Sequence, residues 1–336
     1  MTMKMQAVGI TSLGGPEVLQ LCEVEVAWPG AANSVLVRLK AAGLNPADTF
    51  FRALGAYLEN DGPTVLGHDG AGIVEAVGND VSEFAVGDRV CFCNGGIGGP
   101  PGTYAELAVV PDYQLARIPD DVSFQTAAVF PLVAITAWEA LVERAGLAGG
   151  EHVLIHGGAG GTGQMAIQIA KLQGAKIAAT VSSDAKAEIV KNLGAERAIN
   201  YRTDDFVDAA VRWTDGQGLA VALDNAGPEV MTKTFAAMAP YGHVVTLMGT
   251  PADDADLNAY NRNLTIHNVM MLTPMWFGLT EHLKRQGGIL RQLVGHLASG
   301  EISMNIAAAY PLADVAKAHA QLEAGRMSGK IVLDIA

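Results

Sequence analysis

The first 120 or so residues carry apolar and polar positions in short alternating runs, broken by Gly, Pro, Asn and Asp. Ser34-Val-Leu-Val-Arg-Leu-Lys40 alternates with period two, and residues 70–78 form a glycine-punctuated run of the same kind. Residues 87–93 and 104–110 follow. Period two sends successive side chains to opposite faces, so these runs predict the strands of an all-β barrel or sandwich. The pattern changes near Ser123. Residues 123–142 are apolar at helical spacing, with Ser123 as the expected N-cap, and Pro131 is expected to kink or split the helix because it lacks an amide proton. From there strands and helices alternate. Strands are expected at 152–156, 176–181, 220–223 and 243–248, with helices at 163–173 and 186–193. This alternation predicts βαβ units and a parallel, doubly wound sheet. A helix at 281–298, a strand at 304–309, a helix at 312–324 and a strand at 330–335 complete the pattern, and no internal repeat is visible.

The most informative stretch is His152-Val-Leu-Ile-His-Gly-Gly-Ala-Gly-Gly-Thr-Gly163, which leads into Gln164-Met-Ala-Ile-Gln-Ile-Ala-Lys171. A buried-type strand enters a glycine turn and a helix leaves it. Gly158-x-Gly160-x-x-Gly163 has the dinucleotide spacing: a tight turn, backbone approach to the pyrophosphate, and close helix–strand packing. Gly158, Ala159, Gly160, Gly161, Thr162 and Gly163 are therefore candidate cofactor contacts at a helix N-terminus. NAD sites carry an acid at the end of the second strand for the ribose 2′-hydroxyl. Here that strand ends at Val181, followed by Ser182, Ser183 and, further on, Lys186. Small donors and a cation suit a 2′-phosphate, so NADPH is the expected cofactor. Asp184 complicates this by offering a carboxylate nearby, and Lys186 also fits a solvated residue in the first turn of a helix.

Composition narrows the setting. Glycine makes up 39 of 336 residues, about 12% against a usual ~7%. With no collagen period, the excess points to turns and close backbone approaches. The formal charge of −13 argues against general nucleic-acid or anionic-membrane binding. Three cysteines, Cys22, Cys91 and Cys93, are too few for a disulfide framework. No signal-peptide core and no apolar run of ~18 residues is found, so a soluble cytoplasmic setting is expected.

Gly43-Leu-Asn-Pro-Ala-Asp-Thr-Phe-Phe-Arg52, Gly67-His-Asp-Gly-Ala-Gly-Ile-Val74, Val86-Gly-Asp-Arg-Val90, Gly102-Thr-Tyr-Ala-Glu106, the glycine turn and Ser328-Gly-Lys-Ile-Val-Leu333 together resemble the medium-chain dehydrogenase/reductase superfamily. Within it the chain looks like the zinc-independent quinone oxidoreductases, the group that includes zeta-crystallin. The resemblance runs nearly end to end. It implies a GroES-like, chaperonin-10-like β-barrel catalytic domain (1–125 and 273–336) interrupted by a Rossmann NADP(H)-binding domain (126–272), and a homodimer or homotetramer.

In zinc members the metal is held by an early-loop Cys, a His-Glu pair and a further Cys or acid. The matching early position is Asn45, a poor ligand; His68-Asp69 retains a ligand-like pair; and 130–136 has no Cys, His or acid. One imidazole and one carboxylate do not make a catalytic zinc site, so no metal is expected. Cys91 and Cys93, two apart on one strand face, read as packing. His68 is open between a structural histidine satisfied by local backbone and a hydrogen bond to Asp48 or a substrate. The proton-relay hydroxyl of zinc alcohol dehydrogenases matches Ala47.

The resemblance further places Asn45 and Thr136 near the nicotinamide ribose and carboxamide. It makes Tyr57 a pocket phenol able to donate to a substrate oxygen, against the alternative of an exposed loop tyrosine. Asn45 and Tyr57 are thus the candidate catalytic residues. Tyr201 matches the residue beside the adenosine phosphate. Asn225, in Asp224-Asn-Ala-Gly227, and Gly249 end sheet strands at the edge where cofactors lie. Lys330 is either a reach to the cofactor or a strand-edge lysine, and 273–278 an apolar lining or dimer contact. Without a Lewis acid, an electron-poor acceptor such as a quinone or α,β-unsaturated carbonyl is the expected substrate, the protein positioning the reactants and excluding water. An enoyl-thioester reductase is the alternative within the superfamily. A nucleotide-binding structural or RNA-binding protein is the alternative outside enzymes.

Overall fold

The computed structural model describes residues 2–55, 62–97, 100–249, 251 and 257–335. The chain divides into two compact units, Met1–Leu132 with Leu272–Ala336, and Val133–Met271.

The first unit is built on two sheets. The larger runs in the order Ile306–Pro311, Lys330–Asp334, Ser34–Gly43, Asp69–Val77, Arg89–Cys93, Leu115–Arg117, and Leu107–Pro111 pairs off Ser34–Gly43. All these pairings are antiparallel except the first, between Ile306–Pro311 and Lys330–Asp334, which is parallel. The smaller sheet pairs Thr2–Ile10 with Gln20–Ala27 and Thr64–Val65. Ser34–Gly43 buries Val35, Leu36, Val37 and Leu39, while Arg38 and Lys40, two apart on one face, are half-buried, with Arg38 paired to Glu75. The C-terminal strand Lys330–Asp334 pairs with Ser34–Gly43 and so brings residues from the end of the chain beside those near its start.

The short helix Pro46–Leu54 was not anticipated from the apolar pattern. It opens with Asn45 as its N-cap, Pro46 at the first position, and the Asp48 carboxylate accepting the Asn45 amide N–H at 2.8 Å. That capping box is legible, but the helix is too short to show a period. Among the described residues no helix is long and apolar enough to cross a membrane.

The second unit is a six-stranded, wholly parallel sheet in the order Arg197–Asn200, Lys176–Val181, His152–Ile155, Leu219–Asp224, Met238–Thr246, Thr265–Asn268. Counted along the unit, this is 3-2-1-4-5-6, the doubly wound order. The reversal lies between His152–Ile155 and Leu219–Asp224, and ligands of such sheets bind outside the carboxyl ends at that point. Pro131 splits the apolar stretch as expected: Phe124–Ala128 ends before it, and Pro131–Trp138 begins with it. Ser123 caps the first piece, its hydroxyl accepting the Thr126 amide at 3.0 Å. The amphipathic helix Phe206–Trp213 and the edge strand Thr265–Asn268 are additions. The strand is mostly exposed and carries polar residues, which hid it.

Candidate active-site elements

In the second unit, His156 follows the strand His152–Ile155, and the helix Gly161–Leu172 begins five residues after it. Gly157 sits at φ +63°, in the left-handed region. At Gly163, an added Cβ would fall 2.3 Å from the Gly157 carbonyl oxygen, so the helix packs against the turn only with glycine there. The first intrahelical bond starts at Gln164, whose amide donates to the Gly160 carbonyl at 2.9 Å. The Gly161, Thr162 and Gly163 amides therefore stand ahead of the ladder at the positive end of the helix. This cradle of backbone amides, closed to a Cβ, fits a pyrophosphate.

The turn is pinned from beneath. The Gly157 amide donates to Thr180 Oγ1 at 3.1 Å, and the Thr180 hydroxyl lies 3.3 Å from His156 Nδ1. His156 Nε2 lies 2.8 Å from Thr234 Oγ1, whose hydroxyl donates to the Val230 carbonyl. His156 therefore carries its proton on Nε2, and burial lowers its pKa to about 4. Across the switch point, Asn225 Nδ2 donates to the His156 carbonyl at 3.0 Å. The buried Asp224 is raised by burial and accepts the Ala226 and Gly227 amides, fastening the next turn. Gly249, at φ +108°, follows the neighbouring strand, where its carbonyl accepts the Thr246 hydroxyl at 3.0 Å. Thr136 is buried on the helix Pro131–Trp138.

At the ends of Lys176–Val181 and Arg197–Asn200 the structure gathers Ser182, Ser183, Lys186 and Tyr201. The Ser183 hydroxyl caps the helix Asp184–Leu193 by accepting the Lys186 amide at 3.4 Å. Asp184 Oδ1 accepts Asn200 Nδ2 at 3.4 Å. Tyr201 is 52% exposed, and its amide donates to the Val181 carbonyl.

In the first unit the candidate residues meet in a buried polar cluster. Asn45 is fully buried; its Nδ2 donates to Asp69 Oδ2 at 2.8 Å, and its Oδ1 accepts from the Lys330 ammonium. Lys330 Nζ lies 3.8 Å from Asp69 Oδ2. Asp69 Oδ1 accepts the Leu132 amide at 2.8 Å. Burial pushes Asp69 up to about 6, opposed chiefly by Lys330, and burial pulls Lys330 down, opposed chiefly by Asp69. The strand-edge reading of Lys330 is corrected: it sits on a strand flanked on both sides, 4% exposed, and its ammonium is held inside the unit.

Beside this triad lies a second array. Asp48 accepts the Asn45 amide, the Tyr104 hydroxyl at 3.0 Å and His68 Nδ1 at 2.5 Å. Burial opposes its charge, but His68 first and its other donors outweigh burial and hold it below the usual carboxylate range. The backbone-satisfied reading of His68 is thereby corrected, since the partner is a carboxylate. Tyr104 OH also meets His319 Nε2 at 3.0 Å, and His319 Nδ1 meets Arg52 Nη1 at 3.2 Å. Arg52 then pairs with Glu323 at 2.5 Å and donates to the Gly14 carbonyl. Burial holds His319 neutral, at about 4. Arg52 only donates, so His319 Nδ1 accepts and its Nε2 donates to Tyr104. Tyr104 in turn donates to Asp48. His319 carried no signal in the sequence pattern, and Arg52 and Tyr104 appeared only inside motifs. Tyr57 lies outside the described residues. Cys91 and Cys93 are buried thiols, raised by burial, in line with packing.

Zinc does not fit this donor set. The Lys330 ammonium already stands against the Asp69 carboxylate, Asn45 is spent on both, and His68 is turned onto Asp48. Among the described residues no group of three or more His, Cys, Asp or Glu side chains is placed to hold a metal ion.

Two families match the chain: "Alcohol dehydrogenase GroES-like domain" over residues 31–120 and "Zinc-binding dehydrogenase" over 193–333. A quinone oxidoreductase of Pseudomonas aeruginosa is 34% identical over 97% of this chain and 98% of its own. A 2-haloacrylate reductase of Burkholderia sp is 31% identical over 98% and 99%. A mycobacterial protein solved in complex with NADPH superposes with a TM-score of 0.83 at 29% identity, covering 98% of this chain and all of that one. The protein is an oxidoreductase and belongs to the quinone oxidoreductase family of the medium-chain dehydrogenase/reductase superfamily.

Proposed function

We propose that this protein uses NADPH to reduce quinones or α,β-unsaturated carbonyl compounds by hydride transfer, without a metal. The observation that carries the reading is the cradle at residues 157–163, a backbone-amide turn at the switch point of a doubly wound sheet. Its NADPH preference is supported by Val181 at the strand end, by Ser182 and Lys186 beside it, and by Asp184 being engaged with Asn200. The NADPH complex of a related structure agrees. When bound, the cofactor supplies a hydride. Gly158, Ala159, Gly160, Gly161, Thr162 and Gly163 hold its pyrophosphate, and Ser182, Ser183, Lys186 and Tyr201 its adenosine phosphate. Asn225 and Gly249 border it at the strand ends, and Thr136 and Asn45 orient the nicotinamide side. Lys330 acts on this side by fixing Asn45 rather than by touching cofactor. Tyr57 offers its phenol to the substrate oxygen.

The substrate class follows from the buried triad. With an ammonium in place of a Lewis acid, the site is suited to an acceptor that spreads charge by conjugation. The relatives named for a quinone and a 2-haloacrylate are such cases. The test is oxidation of NADPH and NADH over a panel of quinones, enones and enoyl thioesters. We expect kcat/KM for NADPH at least tenfold above NADH, and Lys186→Ala to lose about 1 kcal/mol of that preference. Equal use of both cofactors, or turnover of thioesters alone, would overturn the reading.

A further inference from the structure

Among the described residues of the first unit, one buried imidazole carries a nitrogen without a partner. His68 is fully buried, and its Nε2 has no hydrogen-bond partner in the structure. Buried polar atoms are paired in the great majority of cases, so an orphan of this kind calls for a specific reason. The opposite nitrogen is fully committed. Asp48 holds Nδ1 at 2.5 Å, and Asp48 is itself filled by the Asn45 amide and the Tyr104 hydroxyl. Because Arg52 sets the direction of the chain through His319 and Tyr104, Asp48 only accepts, and His68 Nδ1 must carry a proton. The imidazole is therefore fixed in rotation and tautomer with Nε2 as its working end, the arrangement in which a carboxylate orients an acid–base histidine. Its ring lies 5.6 Å from Phe51, which in turn lies 6.5 Å from the partly exposed Trp276.

We propose that His68 Nε2 is the proton donor to the substrate carbonyl oxygen, a catalytic residue of the reduction. This deepens the functional reading above and rests on it. In the imidazolium form both ring nitrogens carry protons, and Nδ1–H stays on Asp48. NADPH, when bound, would supply the hydride that adds to the β-carbon. The alkene π pair forms the new double bond to the carbonyl carbon, and the carbonyl π pair moves to oxygen. That oxygen takes the Nε2 proton, the N–H electron pair remaining on the ring. The enol then tautomerises, and the ring regains a proton from water before the next turnover. Asp48 acts through His68, and Tyr104 and His319 act through Asp48, as positioning residues.

His68→Asn separates this role from a structural one, because the asparagine amide reaches Asp48 as Nδ1–H does but has nothing at the Nε2 position. With a cyclic enone as substrate, kcat should fall about 100-fold while KM moves by less than about threefold. NADPH affinity, read by fluorescence titration, and the thermal midpoint should hold. Free imidazole should restore at least part of the kcat lost in His68→Gly. A His68→Asn kcat within about threefold of wild type, as expected if Nε2 merely faces a trapped water, overturns the proposal while leaving the functional reading intact. Should neither variant fold, wild type decides. A solvent isotope effect on kcat of about 2 or more supports the proton step, and none overturns it. Wild type that binds NADPH but turns over no quinone or enone sinks both.

Discussion

The turn at residues 157–163 presents backbone amides drawn from one continuous stretch. The cluster around Asp48 and Asp69 is assembled from side chains at positions 45, 48, 52, 68, 69, 104, 319 and 330. The first is built by omitting side chains: Gly163 is required because a Cβ would strike the Gly157 carbonyl. The second is built by burying charge, with each ion held by a partner at least 20 residues away in sequence. Backbone sites tolerate no bulk but carry little electrostatic cost. Side-chain clusters are costly when one member is lost, because the partner left behind is buried and unpaired.

The largest expected effect tests that cost. Lys330→Met should destabilise the protein by about 3–5 kcal/mol in urea denaturation, since Asp69 loses the cation that opposes its burial. Adding Asp69→Asn should recover most of the loss. If the single and double variants are equally unstable, the pair is not what holds this region.

Acid comes next, with a matched histidine in each unit. His156 and His319 stay neutral in the fold down to about 4, while the unfolded chain protonates near 6.5. The unfolded state thus binds more protons in that window. Each histidine contributes about 3 kcal/mol that is present above pH 6.5 and is lost as pH falls towards 4. Asp69 works in the opposite direction, because its folded value is raised and acidification from about 6 to 4 favours the fold. His156→Gln and His319→Gln should each flatten the acid limb of the denaturation midpoint plotted against pH. An unchanged slope in either would remove that histidine from the account.

The smallest effect belongs to the glycine turn. Gly163→Ala forces the helix away from the Gly157 carbonyl, and we expect NADPH affinity to fall about 100-fold by fluorescence titration, with a smaller loss of stability. Wild-type affinity in Gly163→Ala would show that the phosphate does not use this cradle.

The same contrast explains what could be read in advance. Four of the six parallel strands, the Pro131 break and the glycine turn are local: period, proline and glycine spacing act over a few residues and leave a mark in the sequence, whereas Arg197–Asn200, a four-residue strand, does not. Pro46–Leu54 leaves no such mark, because two turns of helix show no period. Thr265–Asn268 was hidden by its exposed edge position. In the cluster, His68 and Asp69 stood out as a ligand-like pair, but their use was illegible. Lys330 looks like any strand lysine until the strand is seen between Ser34–Gly43 and Ile306–Pro311. His319 lies on the helix Val315–Ala324 with nothing to mark it, because its value comes from Tyr104 and Arg52, more than 200 residues earlier.

That separation also has a temporal side. Asn45 and Lys330 are 285 residues apart, and the doubly wound sheet is translated between them. At roughly 5–20 residues per second, the ribosome takes about 15–60 s to cross that gap. The nucleotide unit has all its strands during that time, while Asp69 waits without its cation. A nascent chain arrested before residue 319 therefore carries every strand of the second unit but neither the His319 that orients Tyr104 nor the Lys330 that faces Asp69.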